Sequence, residues 1–137
     1  MKRFVELRSE ICTFLNEKGK ETAVFDDNTW LSDLAFLTDI TGHLNTVNQR
    51  LQGKDHFIFD MFKELQALQL KLQLFQSHLQ SGNLVHFQTC LLFQQVYQCD
   101  FSRYHECCET LKTEFNNRCS RLQMLCLISC VTLSAVQ

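Results

Sequence analysis

The fold is decided by the stretch from Ile58 to Gln80, which reads IFDMFKELQALQLKLQLFQSHLQ. Its apolar positions follow one another at alternating steps of three and four residues: Ile58, Met61, Leu65, Leu68, Leu72, Phe75 and Leu79. This spacing has the period of an α-helix and predicts one continuous apolar face. Counted from Lys54, the helix would extend about 40 Å at 1.5 Å per residue.

Two further leucines, Leu70 and Leu74, lie on the opposite side of the same predicted helix. A helix that is apolar on two sides is either enclosed by neighbours in a bundle or lacks a partner. The residues of both sides are therefore our candidates for a helix–helix seam or a partner-facing surface. They are Ile58, Met61, Leu65, Leu68, Leu70, Leu72, Leu74, Phe75 and Leu79.

The sequence before this stretch predicts two more helices. The first ends just before Gly19, a residue type common at helix ends, and its stripe is Phe4, Leu7, Ile11, Phe14 and Leu15. Asp26 or Asp27 can cap the second helix, because a carboxylate accepts its unpaired N–H groups. That helix closes at Gly53, and its stripe is Trp30, Leu34, Leu37, Thr41, Leu44, Asn48 and Leu51.

The sequence after position 80 continues the helical pattern less regularly. Ser81-Gly82-Asn83 is the clearest break, and residues 84–98 predict one or two short helices. Asp100 or Ser102 can cap a final helix that runs to Leu122. The fold class we expect is all-α, an antiparallel bundle of four or five helices over residues 1–122. A divergent, uncharged, cysteine-rich tail follows at 123–137.

Length and composition limit the possible classes of protein. The 137 residues correspond to one domain or part of one, large enough for a real core. The chain has no proline and only four glycines, which disfavours loop-dominated all-β folds. A net charge of −2, with basic residues interleaved with acidic ones, disfavours nucleic-acid binding by this chain alone.

The eight cysteines raise the question of disulfides or a metal site. A charged N-terminus, MKRFVELR, breaks any signal-peptide core, so we expect reduced thiols in an intracellular protein. The candidate zinc ligands are Cys99, His105, Cys107, Cys108 and Cys119. They contain no C-x2-C pair, and adjacent Cys107 and Cys108 diverge by about 100° on a helix. Core cysteines are favoured over a metal site.

Other chemical sites find no support in the sequence. No cysteine shows the surroundings of an activated thiolate, and the four glycines are isolated from one another. The uncharged C-terminal run, 122–137, is too short and too polar for a bilayer-spanning helix. We therefore expect no catalytic, cofactor-binding or metal-binding residue, no cofactor, no membrane association and no enzymatic activity.

Four stretches carry a resemblance to a known family: KRFVELRSEI at 2–11, WLSDLAFLTDI at 30–40, HLNTVNQRLQGK at 43–54 and LKTEFNNR at 111–118. In this order they resemble the domesticated hAT-superfamily transposases. Within these, the chain is most similar to the transposase-derived part of general transcription factor II-I repeat domain-containing proteins and their BED-zinc-finger relatives. The resemblance implies the helical insertion of an RNase H-like transposase, and therefore a fragment that lacks the catalytic acids.

The expected function follows from this resemblance and from the apolar stripes. We expect a non-catalytic, transposon-derived helical module that binds a protein partner or itself, in the nucleus as the family implies. One alternative is a transposase remnant that associates weakly with DNA. Another is a product without a selected function.

Overall fold

The computed structural model describes the backbone of residues 2–52 and 58–134, and the side chains of residues 3–52 and 59–120. Within these ranges the chain is all-α and contains no strand, which confirms the predicted fold class. The α-helices are α1 (Lys2–Glu6), α2 (Arg8–Glu17), α3 (Asn28–Leu51), α4 (Ile58–Gln80), α5 (Gln88–Tyr97) and α6 (His105–Ser134). Two short 3-10 helices, η1 (Ala23–Asp26) and η2 (Ser102–Tyr104), precede α3 and α6.

The described part of the chain has six α-helices where the sequence predicts four or five, because the first predicted helix is interrupted at Leu7. The hydrogen bonding continues across the interruption, since the amide of Leu7 donates to Arg3 O and that of Ile11 to Leu7 O. Arg8, the first residue of α2, donates to Phe25 O and to the hydroxyl of Tyr97. These two long-range bonds lie directly beside the interruption.

Helix α4 begins at Ile58, and the predicted start at Lys54 and the predicted stop of α3 at Gly53 lie outside the described residues. The uncertain region 84–98 forms the single helix α5. Helix α6 continues without interruption past Leu122 to Ser134. Between residues 2 and 134, leaving out 53–57, no helix combines the length and hydropathy that a bilayer crossing requires.

Contacts along α3 show that its two neighbours run antiparallel to it. Arg50, near the end of α3, contacts Glu64 near the start of α4. His43, two turns earlier in α3, contacts Phe75 later in α4, so the two helices run in opposite directions. Asn28 at its start accepts a hydrogen bond from Cys99, and Asp39 accepts from the amide of Thr89, so α5 also runs against α3. The predicted antiparallel packing is confirmed for these two pairs.

Aromatic rings from four elements form the centre of the core. Phe36 of α3 stacks on Tyr104 of η2 with ring centroids 4.4 Å apart. Phe87, just before α5, lies 5.9 Å from Phe36 and 5.0 Å from Phe75 of α4. Because all four rings are buried, this cluster ties α3, α4, the α4–α5 turn and η2 together.

Helix ends are closed partly by local residues, as the sequence predicts. Gly19, at φ +63°, follows the end of α2 and allows the amide of Lys20 to reach Leu15 O. Asp27 caps α3 through a 2.8 Å hydrogen bond from the amide of Thr29. Asp100, predicted with Ser102 as a cap of the final helix, instead accepts hydrogen bonds from the amide and the hydroxyl of Ser102 at the start of η2, the short helix before α6.

The start of α5 is capped from a distance. Its local N-cap residue, Phe87, offers no side-chain acceptor. Instead, Oδ2 of Asp39 on α3 accepts hydrogen bonds from the amides of Thr89 at 2.8 Å and Cys90 at 3.0 Å. A carboxylate at this end also meets the positive end of the helix dipole. One side chain therefore closes α5 and attaches it to α3.

Replacing this cap should destabilise the fold measurably. We expect Asp39→Ala to lower the free energy of unfolding by about 1–3 kcal/mol, since two amide donors lose their acceptor. Urea denaturation followed by circular dichroism measures this. Glu17→Gln, an exposed acidic substitution at the end of α2, is the control and should change stability by less than about 0.5 kcal/mol. Equal effects of both variants would contradict the role of Asp39.

Candidate interaction surface

The predicted seam residues of α4 divide between core and surface. Leu68, Leu72, Phe75 and Leu79 are buried, and Leu65 is half-buried. Met61, predicted on the same stripe, is 39% exposed, and the side chain of Ile58 lies outside the described residues. The inward stripe of α4 therefore serves the core of this chain over its C-terminal half.

The two leucines of the opposite side are exposed. Leu70 is 70% exposed and Leu74 is 43% exposed. Ala67 and Ser77, one turn to either side, are exposed as well. We call these four residues, Ala67, Leu70, Leu74 and Ser77, the outer face of α4. They lie within about 80° of one another around the helix, because successive residues are about 100° apart.

The outer face is free of ionic side chains along its length. Lys71 and His78 are the ionisable residues of this stretch of α4, and both turn toward the core side, where they meet the rings of Phe75 and His86. Lys63, one turn before the face, lies 3.8 Å from Asp60. A solvated helix face normally carries charges, so an uncharged face with two exposed leucines is typical of a helix–helix interface.

A groove of about 530 Å³ lies beside the outer face, between α4 and α6. Leu70 forms part of its wall, and Lys112 of α6 is its ionic side chain. The rest of the wall consists of amide side chains, namely Gln66, Gln69, Gln73 and Asn116. Amide groups both donate and accept hydrogen bonds, so this wall can pair with polar groups of either kind.

The division of α4 into core and surface gives a matched test. Leu72→Ala should lower the free energy of unfolding by about 2–5 kcal/mol, because Leu72 is fully buried and its loss leaves a cavity. Leu70→Ala, the same substitution two residues earlier, should change it by less than about 0.5 kcal/mol. Chemical denaturation of both variants measures the difference. A large loss in Leu70→Ala would show that this leucine is packed within the chain.

A second cluster consists of basic side chains around Phe75. Nε2 of His43 donates to the carbonyl oxygen of His86 at 2.8 Å, and its Nδ1 lies 3.5 Å from Nζ of Lys71. The rings of His78 and His86 stack in parallel with centroids 5.1 Å apart. Nδ1 of His78 is buried and finds no hydrogen-bond partner among the described residues. Sequence reasoning missed this cluster.

The surroundings of this cluster disfavour additional positive charge. Burial lowers the pKa of His86 below its ordinary value of 6.5, and the neighbouring His78, His43 and Lys71 lower this pKa further. Asp39 borders the same cavity of about 310 Å³, together with His43 and His86. Its carboxylate already accepts two hydrogen bonds from α5.

The lowered pKa of His86 makes stability depend on pH. Well above pH 6.5 the ring is neutral in both the folded and the unfolded state, so its contribution to stability is constant. As the pH falls through 6.5, the unfolded chain takes up the proton more readily, so the free energy of unfolding decreases. We expect His86→Phe, which keeps a ring beside Phe75, to lose less stability between about pH 7 and 5.

Urea titrations at several pH values measure this slope. Lys71→Met should also flatten it, since it removes one of the positive neighbours of His86. If His86→Phe loses stability on acidification as steeply as the unchanged protein, the assignment of the pH dependence to His86 is wrong.

The candidate metal residues are not brought together. Cys99, Cys108 and Cys119 are buried, whereas Cys107 is exposed. Nδ1 of His105 lies 2.6 Å from the carbonyl oxygen of Ser102. Among the described residues, no group of three or more histidine, cysteine or acidic side chains has a geometry that could hold a metal ion. All six cysteines with described side chains are free thiols.

Burial also keeps the core thiols protonated. It raises the pKa of Cys108 to about 12 and raises that of Cys90, where the nearby Asp39 carboxylate adds to the effect. A thiolate is the nucleophile and the metal ligand, so these two thiols are chemically inert at neutral pH. They act as small apolar side chains of the core.

Comparison with known proteins defines the class of this domain. Residues 1–80 match the model of the FAM200/GTF2IRD2 helical domain. The chain is 38% identical over 124 residues to general transcription factor II-I repeat domain-containing protein 2 of Bos taurus. It is 36% identical over 120 residues to the protein of the same name in Mus musculus. The alignments cover 90% and 88% of this chain.

The chain therefore belongs to the family of FAM200/GTF2IRD2-like helical domains. It corresponds to 13% of the length of each of the two relatives, so it represents one region of those proteins. The comparison with solved structures found no match.

Proposed function

We propose that this chain is a non-catalytic helical protein-interaction module derived from a hAT-superfamily transposase. The observation that carries the proposal is the outer face of α4, on which Leu70 and Leu74 are exposed and which has no ionic side chain of its own. Membership in a family of helical domains found in longer proteins supports this role, because such a domain can present a helix surface to other parts or partners.

The charged side chains support a structural rather than a catalytic role. Asp27 and Asp39 cap helices, and Asp33 accepts hydrogen bonds from Arg103 and Tyr104. Paired acids used in catalysis need to converge on a substrate, whereas these carboxylates are bonded to the protein itself.

The arginines favour protein binding over DNA binding. Arg8 lies over the ring of Tyr97, Arg103 pairs with Asp33 at 2.8 Å, and Arg118 lies 3.9 Å from Glu114. Arg50 lies 3.5 Å from Glu64. Acidic side chains beside three of these arginines and a net charge of −2 for the chain weaken the attraction of a phosphate backbone. We propose a nuclear location, because the relatives are named as general transcription factor repeat proteins.

Proximity labelling in cultured cells tests the proposal. The chain fused to a labelling enzyme is compared with Leu70→Glu and with Leu37→Glu, a control at a leucine of α3 that is 43% exposed and lies one turn from the charged Asp33. We expect Leu70→Glu to reduce the labelling of specific neighbours by about tenfold, because it places a charge on the interface. Leu37→Glu should retain the labelled neighbours of the unchanged chain. Identical neighbour sets for all three proteins would contradict an interaction through α4.

A further inference from the structure

The outer face of α4 has a symmetrical sequence. Its exposed residues read small, leucine, leucine, small, at Ala67, Leu70, Leu74 and Ser77. The steps between them are three, four and three residues. The pattern is therefore the same in both directions along the helix.

From this symmetry we infer that the outer face of α4 binds the same face of a second copy of this chain, with the two α4 helices antiparallel across a twofold axis. Such an axis passes near position 72, so that it pairs each residue of one copy with the residue equally far beyond position 72 in the second copy. Leu70 then packs against Leu74 of the second copy, and Ala67 lies opposite Ser77. Small residues at both ends let the two helices approach closely.

The absence of ionic side chains from the outer face is compatible with a second copy as the occupant. The face carries no ionic side chain between Lys63 and the end of α4, since Lys71 and His78 contact the core side. Along the outer face itself, two copies therefore meet without like-charge repulsion. The ionic side chain beside this face is Lys112 of α6, in the wall of the groove. Lys63, which pairs with Asp60, falls opposite position 81 of the second copy, at the edge of the contact.

The groove between α4 and α6 is also compatible with a second copy. It borders Leu70, so the side chain of Leu74 from the second copy can enter it. Its amide groups on Gln66, Gln69, Gln73 and Asn116 can pair with amides of either copy, because each is both donor and acceptor. A twofold axis repeats this arrangement, as an isologous interface requires.

The size of the face sets the expected affinity. From Ala67 to Ser77 the helix rises about 15 Å, so the contact is smaller than a standard stable interface. We expect a weak, concentration-dependent dimer with a dissociation constant of about 10–500 µM. This inference rests on the proposed function, since it names the partner of the same surface.

Sedimentation velocity over a range of protein concentrations tests the dimer. The unchanged chain should shift from monomer to dimer, and Leu70→Glu and Leu74→Lys should each weaken association by at least about tenfold. Leu37→Glu on α3, at a leucine that is 43% exposed, should associate like the unchanged chain. Circular dichroism of each variant checks that it remains folded.

A mixing experiment tests the antiparallel register. In a mixed dimer of Leu70→Glu with Leu74→Lys, the new glutamate of one copy lies opposite the new lysine of the other. The unchanged Leu74 of the first copy still packs against the unchanged Leu70 of the second. Mixing these two variants should therefore restore association. Mixing Leu70→Glu with Leu70→Lys should not, because each charge then faces a leucine. Restoration in the second mixture would show a parallel or differently registered pairing and overturn the inference.

The outcome can be separated from that of the proposed function. If the unchanged chain remains monomeric at every concentration, self-association is wrong. Loss of labelled neighbours in Leu70→Glu would then still support binding to a different protein through the same face.

Discussion

The fold depends on the burial of one face of α4 around Phe75. Leu68, Leu72, Phe75 and Leu79 have almost no exposed surface, and α3, α6 and the Phe87 turn all pack against this helix. Burying a large apolar side chain contributes about 1.5–3 kcal/mol, so this one stripe accounts for a substantial part of the stability of a small domain. Its position also determines which side of α4 remains for other contacts.

The sequence predicts local structure well where a residue acts on its own neighbours. The three–four spacing in α4, the end of α2 near Gly19 and the cap of α3 by Asp27 all depend on residues a few positions apart. The cap of α5 could not be predicted, because Asp39 acts on amides 50 and 51 residues later. The long-range bonds of Arg8 beside Leu7 could not be predicted either, because Phe25 and Tyr97 lie 17 and 89 residues away.

The same distinction applies to the candidate surface. Periodicity identified Leu70 and Leu74 as a second apolar side of α4, and the structure places both in solvent. The basic cluster of His43, His78 and His86 could not be found in this way, because its members come from α3, α4 and a turn. No spacing rule connects positions 43 and 86 until α3 and α4 are known to pack antiparallel, which brings the turn after α4 close to His43.

The attachment of the first two helices has a consequence for the dynamics of the domain. Helix α2 has no buried residue, and Phe4 and Phe14 remain partly in solvent. The guanidinium of Arg8, stacked over Tyr97, is the main polar link between this pair and the helices behind it, within the described residues. Segments held by few buried groups open locally at a lower free energy than the core. We therefore expect residues 2–17 to open at a lower free energy than α3 and α4, and their amide protons to exchange with solvent earlier.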